Sequence, residues 1–321
     1  MKKNVAVRSY SLAIASLMSA IAAAHGQVLF QDNFDTTPVS NWTINAASAR
    51  DQAVIGFDYS GVGIPSAPNS GGTTIGAMLQ ANRPVGTGAL SGVSISPVGA
   101  SFTGDYQLRY DLWQNFIGPA PDGGAGSTQI TGAGIMTAGN VAHFAGAGDG
   151  LWITTAADNS GTASDYRVYL RGANQTTAST SVTYAAGSQN NTAAYYTANF
   201  PGGVTPPAAQ TALHPSQTGT TAAGTIGFAW HDVAITKTGN TVTWDIDGVR
   251  IATVDLLNAG TFGGDNILFA QSDVNATQTS AAGDPVLFGL VDNVRVTAVP
   301  EPTTYALIGL GGLFLAARRR K

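Results

Sequence analysis

The acidic side chains of this protein are nearly all of one kind: of 19 carboxylates, 18 are Asp, and the sole Glu is Glu301, near the C-terminus. A retaining glycosidase sets two carboxylates about 5 Å apart, and the body of this chain has only Asp for that task. His143, His214 and His231 show no spacing that suits a zinc site, and none accompanies a Gly-x-Ser-x-Gly turn. Cysteine is absent, which excludes thiolate nucleophiles, thiolate metal sites and disulfides. What remains is chemistry of recognition. Asp149-Gly150-Leu151-Trp152 is the best binding candidate, because an ionised carboxylate accepts hydrogen bonds from paired sugar hydroxyls and an indole stacks on a sugar face. The plainer reading of the same residues is a turn with Trp152 packed in the core. By strand parity Leu151 and Trp152 face opposite ways, so only one of them is expected there. Calcium takes about six to eight oxygen ligands, and Asp32, Asp245, Asp247 and Asp292 are its weak candidates. Asp245 and Asp247 are expected on one strand face, and Asp32 and Asp292 on paired end strands. Asp292 shares the parity of Phe288, Leu290, Val294 and Val296, so it is either buried with a partner or turned outward by a bulge. For all four the competing reading is a solvated or turn Asp.

The elements that must position these residues are strands. Gly numbers 40 and charged residues are only 11%, a composition suited to strands and turns rather than long charged helices. Val28 to Phe34 reads as an opening strand. Short apolar islands follow at Ile75–Leu79 and Val93–Ile95 in a loop-rich stretch. Tyr106 to Leu112 alternates apolar and polar without a fault, which predicts a half-buried strand. Gly150 to Thr155 and Asp165 to Arg171 predict two more. Residues 172–224, rich in Ala, Thr, Gly, Asn and Pro, read as a long loop or insertion with weak strand character near Thr192 to Phe200. Thr241 to Ile246 alternates with Val242, Trp244 and Ile246 inward, and Asp247-Gly248 predicts a two-residue hairpin turn, both of whose positions need positive φ. Phe288 to Thr297 closes the body.

The two ends of the chain read as addresses. Lys2, Lys3 and Arg8 precede a weakly apolar stretch, Tyr10 to Ala24, that ends in small residues. That is the pattern of a secretory signal peptide, expected over residues 1–26. At the other end, Val299-Pro300-Glu301-Pro302 leads into a 13-residue apolar run, Tyr305 to Ala317, and then Arg318, Arg319, Arg320 and Lys321. As a helix that run spans roughly 20 Å, short of a bilayer core of about 30 Å. The basic end stays on the cytoplasmic side by the positive-inside rule. With both terminal segments set aside, the body carries eight Lys or Arg against 18 Asp, a net charge of −10. Such a surface repels phosphate backbones and argues against nucleic acid as a partner.

Residues 299–321 closely resemble the PEP-CTERM sorting signal: Val-Pro-Glu-Pro, a short Ala/Leu/Gly helix and a terminal Arg cluster. The resemblance implies processing by the membrane protease exosortase after signal peptidase has acted. It further implies release to the outer envelope or outside the cell, often in bacteria that make exopolysaccharide. The body resembles the laminin-G-like and concanavalin A-like jelly rolls through Trp230, His231, Val233, Ala234, Asp247 and Gly248, with Asp32-Asn33-Phe34 like the first strand and Leu290 to Val296 like the last. That implies two antiparallel sheets packed face to face, with the first and last strands paired. Laminarinase-like enzymes of this fold use a Glu-x-Asp-x-Glu strand, which is missing here. Asp149-Gly150-Leu151 resembles the Asp-Gly-Leu stretch of legume-type lectins, but their Glu-containing calcium stretch is also missing.

The expected molecule is an all-β antiparallel sandwich over residues 27–298, flanked by an N-terminal signal helix and a short C-terminal hydrophobic helix. The expected role is that of an exported, exosortase-sorted surface or extracellular-matrix protein. It is non-catalytic, needs no cofactor unless calcium, and binds glycan, with exopolysaccharide as the candidate partner. The alternative is a secreted carbohydrate-active hydrolase of jelly-roll fold.

Overall fold

The computed structural model describes residues 26–116, 128–157 and 164–300. The signal peptide and nearly all of the sorting tail, including Glu301, Pro302, Arg318, Arg319 and Arg320, therefore lie outside the described residues, and so do the two expected flanking helices. Sixteen strands form two antiparallel sheets. The nine-stranded sheet runs β11 (Val182–Tyr184), β14 (Val249–Asp255), β13 (Thr241–Ile246), β12 (Trp230–Thr238), β6 (Tyr106–Gln114), β16 (Gly289–Ala298), β4 (Ile75–Gln80), β3 (Gln52–Asp58), with β1 (Val28–Asp32) also on β16. The seven-stranded sheet runs β10 (Ala173–Gln175), β9 (Tyr166–Leu170), β8 (Leu151–Ala156), β7 (Gln129–Thr137), β15 (Asn266–Asp273), β5 (Ser91–Pro97), β2 (Trp42–Ala46).

Period-2 alternation decides which side chains fill the space between the sheets. On β6, Tyr106, Leu108, Tyr110 and Leu112 enter the core; on β13, Val242, Trp244 and Ile246 do so, as their spacing predicts. From the other sheet Leu151, Ile153, Ile267 and Phe269 meet them. The first and last strands pair, Asp32 opposite Val294. The hairpin turn falls at Asp247 and Gly248, with φ of 51° and 78°.

The insertion departs from its loop-like reading. Residues 182–184 form an edge strand on β14, and the stretch read as weak strand near Thr192 to Phe200 is instead a short helix, α1 (Ala194–Asn199). A second helix, α2 (Ala208–Leu213), follows. Helical spacing puts Tyr196 and Phe200, four residues apart, on one face. Both then stack on Tyr166 of β9, with ring centroids 4.1 Å and 6.3 Å away. A strand would still have put them on one face, but at more than twice the axial spacing.

Candidate functional site

The chemistry gathers on the outer face of the nine-stranded sheet, at its three central strands. Asp111 of β6 stands directly opposite Asp232 of β12 on one side and Asp292 of β16 on the other. Opposite residues have Cβ atoms about 4.5–5.5 Å apart, so three carboxylates form a row. The register from Gly289 to Asp292 is unbroken, so Asp292 faces outward with Leu290 by plain alternation. β16 carries a bulge between Asp292 and Arg295, where Asn293 takes φ of 52°. The bulge absorbs one residue, so that Val291, Val294 and Val296 all reach the core while Asp292 and Arg295 both face outward. The bulge also marks the point where β16 changes partner, from β4 at Gly289–Val291 to β1 at Val294–Thr297.

Asp292 is therefore buried, at 0% exposure, on the outer face it shares with Leu290, and the bulge that follows it turns Val294 and Val296 inward. Its Oδ2 accepts from the Tyr59 hydroxyl at 3.0 Å and its Oδ1 from the Asn293 N–H at 2.7 Å. Burial pushes this carboxyl up to about 7; the two donors oppose that, and the neighbouring charges of Asp111 and Asp35 add to it. Asp111 is also shifted upward, first by burial, against hydrogen bonds from Asn293 and Asn69. The Asn293 side-chain amide reaches Asp111 Oδ2 at 2.8 Å and the Asn69 amide reaches Oδ1 at 2.8 Å. Asn293 thus binds both neighbouring carboxyls, one through its backbone and one through its side chain.

Above this row lies a cleft of about 890 Å3 whose walls carry Asn33, Asn41, Asn69, Arg109, Asp232 and Arg295, with Asp111 and Tyr110 below. Arg109 forms a two-point ion pair with Asp232. The wall is amide, carboxylate and guanidinium, a donor and acceptor mixture suited to polyhydroxylated ligands. Sequence reasoning missed Asp111, Asp232, Asn69, Asn293 and Arg295 as a group. Asp111 was visible as the polar member of an alternating strand, but alternation gives the face and not the neighbours.

The Asp149 corner is arranged differently. Asp149 Oδ1 accepts from Thr137 Oγ1 at 2.6 Å, and Oδ2 accepts from the Ala138 N–H at 2.9 Å. His143, at 1% exposure, lies with Nε2 3.1 Å from the same Oδ1 and 3.1 Å from the Gly150 nitrogen, its Nδ1 facing the Val141 carbonyl at 3.0 Å. Burial pushes the Asp149 carboxyl up, but the His143, Thr137 and Ala138 donors outweigh it and hold it at about 2. Both of its oxygens are occupied by the protein. Leu151 enters the core between the sheets, and Trp152 on the opposite face is buried as well, at 1% exposure in a separate apolar cluster with Ile130, Tyr169 and Leu268. Its ring stacks on Tyr169 at 4.9 Å. The expectation that only one of the pair is buried is corrected: a second apolar layer covers this outer face, so Trp152 offers no face to a sugar.

The four calcium candidates are not brought together. Asp32 accepts from the Phe34 N–H, the Thr37 hydroxyl and the Trp42 indole, between 2.6 and 2.9 Å. Asp245 pairs with Arg250 at 2.6 Å. Asp247 does not share its strand face: it sits in the turn and binds His231 Nδ1 at 2.6 Å and the Asp232 N–H at 2.9 Å. Among the described residues no group of three or more His, Cys, Asp or Glu is arranged to hold a metal ion.

At Ala298 the last strand ends, and residues 298–321 match the family model of the PEP-CTERM protein-sorting motif. The chain carries a PEP-CTERM sorting signal. It is thereby marked as an exported protein sorted to the cell surface. Of this PEP-CTERM segment the structure describes Ala298, Val299 and Pro300. No helix among the described residues is long and apolar enough to cross a membrane. No curated protein matches the chain. Among solved structures, the chain is similar to a Bacillus subtilis protein of unknown function with a galectin-like fold (9% identity, TM-score 0.42, covering 85% of this chain and 97% of that one). It is also similar to a Bacillus licheniformis beta-glucanase (10%, 0.42, 85% and 98%) and to the carbohydrate-binding module CBM66 from Bacillus subtilis (8%, 0.37, 80% and 96%).

Proposed function

We propose that this PEP-CTERM protein is processed by exosortase and works at the cell surface as a non-catalytic glycan binder, with the ligand in the cleft over β6, β12 and β16. The observation that carries this reading is the cleft wall itself: Asn33, Asn41 and Asn69 beside Arg109, Asp232 and Arg295, open to solvent above a rigid sheet. Against chemistry stands the condition of the carboxyls beneath. Asp292 lies at 0% exposure under Tyr59, and Asp111 is gripped by two Asn side chains. A carboxyl held in that way supports the floor and is not presented to a glycosidic oxygen. The second reading, a hydrolase, is favoured by one observation: Asp111 and Asp292 are adjacent and both hold their protons more tightly than an ordinary Asp.

The test uses the full chain with a polysaccharide panel. Asn41→Ala, which removes an exposed amide from the cleft wall, is expected to weaken retention with the melting temperature nearly unchanged, and no reducing ends are expected from any polysaccharide. Release of reducing ends that Asp111→Asn abolishes would establish the hydrolase instead. In the producing cell, Glu301→Ala is expected to leave unprocessed protein in the membrane.

A further inference from the structure

β16 sets a second pair beside its carboxyl pair. Arg295 stands directly opposite Arg109 of β6, on the same outer face as Asp111 and Asp292. Like charges directly opposite each other on a sheet are destabilising, and the two sit in a body that has only eight Lys or Arg. The charge of Arg109 is met by Asp232 through two N–H donors. Arg83 and Arg250 likewise have carboxylate partners. Arg295 has no ion pair and no hydrogen-bond partner among the described residues, and its side chain is exposed. It lines the 890 Å3 cleft and also a smaller hollow of about 240 Å3, bounded by Gln107, Arg109 and Thr297, that continues along the same strands. The carboxylates of the cleft cannot serve it in its place. Asp232 is taken by Arg109, Asp111 by Asn69 and Asn293, and Asp32 by Thr37 and Trp42.

We infer that Arg295 is the anion-recognising residue of the cleft, and that the ligand is an acidic polysaccharide whose uronate carboxylate lies on this guanidinium; the inference rests on the cleft being the glycan site. A guanidinium presents parallel N–H donors that match the two coplanar oxygens of a carboxylate. The ligand carboxylate supplies the negative charge that Arg295 lacks, while the exposed Asn41 amide of the wall takes a ring hydroxyl. The nearby Asp side chains disfavour a doubly charged group such as a phosphate monoester. A free exposed Arg on a central strand, where a neutral or acidic residue would relieve the repulsion, is otherwise a cost to the fold.

The experiment titrates the full chain with oligogalacturonate, with its carboxyl-reduced neutral counterpart and with a sulfated glucan, at low and high NaCl. Oligogalacturonate is expected to bind at least about tenfold more tightly than the neutral form, with the advantage shrinking as salt rises. Arg295→Gln is expected to remove that advantage, and Arg295→Lys to restore part of it, both with unchanged far-UV circular dichroism. Equal binding of acidic and neutral oligosaccharides, an unaffected Arg295→Gln, or retention of the sulfated glucan alone would overturn the inference while the cleft reading stood, provided Asn41→Ala still weakened binding. No retention of any of the three would overturn both.

Discussion

Asp149 and Asp292 are the same residue type in the same sandwich, yet one is held at about 2 and the other pushed up to about 7. Burial acts upward on both and is deeper at Asp292, at 0% exposure against 21% for the Asp149 side chain, so it accounts for part of the difference and the donors for the rest. Asp149 stands in a corner where Thr137, Ala138 and His143 all turn donors toward it. Asp292 receives two donors and shares its face with Asp111 and Asp35. The first is held by donors of the fold; the second is buried beside Asp111, which lines the cleft, and the two carboxyls repel one another. A carboxylate beside a Gly and a Trp looks like the binding site in sequence, but its donors come from the fold and use up its lone pairs. In the cleft wall Asn33 is likewise tied to Asp35, Asn69 to Asp111 and Arg109 to Asp232, while the Asn41 and Arg295 side chains have no partner among the described residues.

The comparison can be broken most forcefully at Trp152. If that corner is structural, Trp152→Ala removes a ring stacked on Tyr169 and buried to 1% exposure. The expected cost is about 3–5 kcal/mol in urea unfolding, with polysaccharide retention by the folded fraction unchanged. A loss of binding without a loss of stability would return the sugar site to this corner. A smaller effect is expected at Gly263, where an added Cβ would collide with Asp149 Oδ2. Gly263→Ala is expected to cost about 1–3 kcal/mol by overpacking. An unchanged midpoint would mean that the carboxylate is free to move.

The smallest effect is a difference in pH dependence, and its sign is opposite at the two sites. The Asp149 proton affinity is lowered on folding from an ordinary 3.8 to about 2. The unfolded chain binds the extra proton, so this stabilisation is present above about 3.8 and is lost as pH falls toward 2. Asp292 is raised from 3.8 to about 7. There the folded state binds the extra proton, so stability drains away as pH rises through that interval and levels off above about 7. Asp292→Asn keeps a neutral group on Tyr59 and Asn293. Its stability relative to the parent is expected to improve steadily between pH 4 and 7, whereas Asp149→Asn is expected to be most costly at neutral pH and least costly near pH 2. Parallel stability curves for parent and both variants would show that the two environments do not differ.

Much of this protein was legible in its residues because the signals were local. Alternation over Tyr106 to Leu112 and Thr241 to Ile246 fixed which side chains entered the core, and Asp247-Gly248 marked the hairpin, because a period of two and a need for positive φ depend only on neighbours in the chain. The sorting motif was legible for the same reason: Pro300-Glu301-Pro302, the apolar run and the Arg cluster are contiguous. Tertiary structure decided the rest. The helix at Ala194–Asn199 exists where Tyr196 and Phe200 meet Tyr166, a partner outside the insertion. Trp152 is buried because a second apolar layer covers the outer face of its sheet, which parity within one strand does not report. The row Asp232–Asp111–Asp292 joins three strands, with Asp111 more than a hundred positions from either neighbour, and a one-residue bulge at Asn293 then sets Arg295 opposite Arg109 on the same face. A bulge reverses the face of every residue beyond it. For that reason composition and spacing determined the sandwich and its address, while the register of β16 against β6 decided which side chains face the cleft.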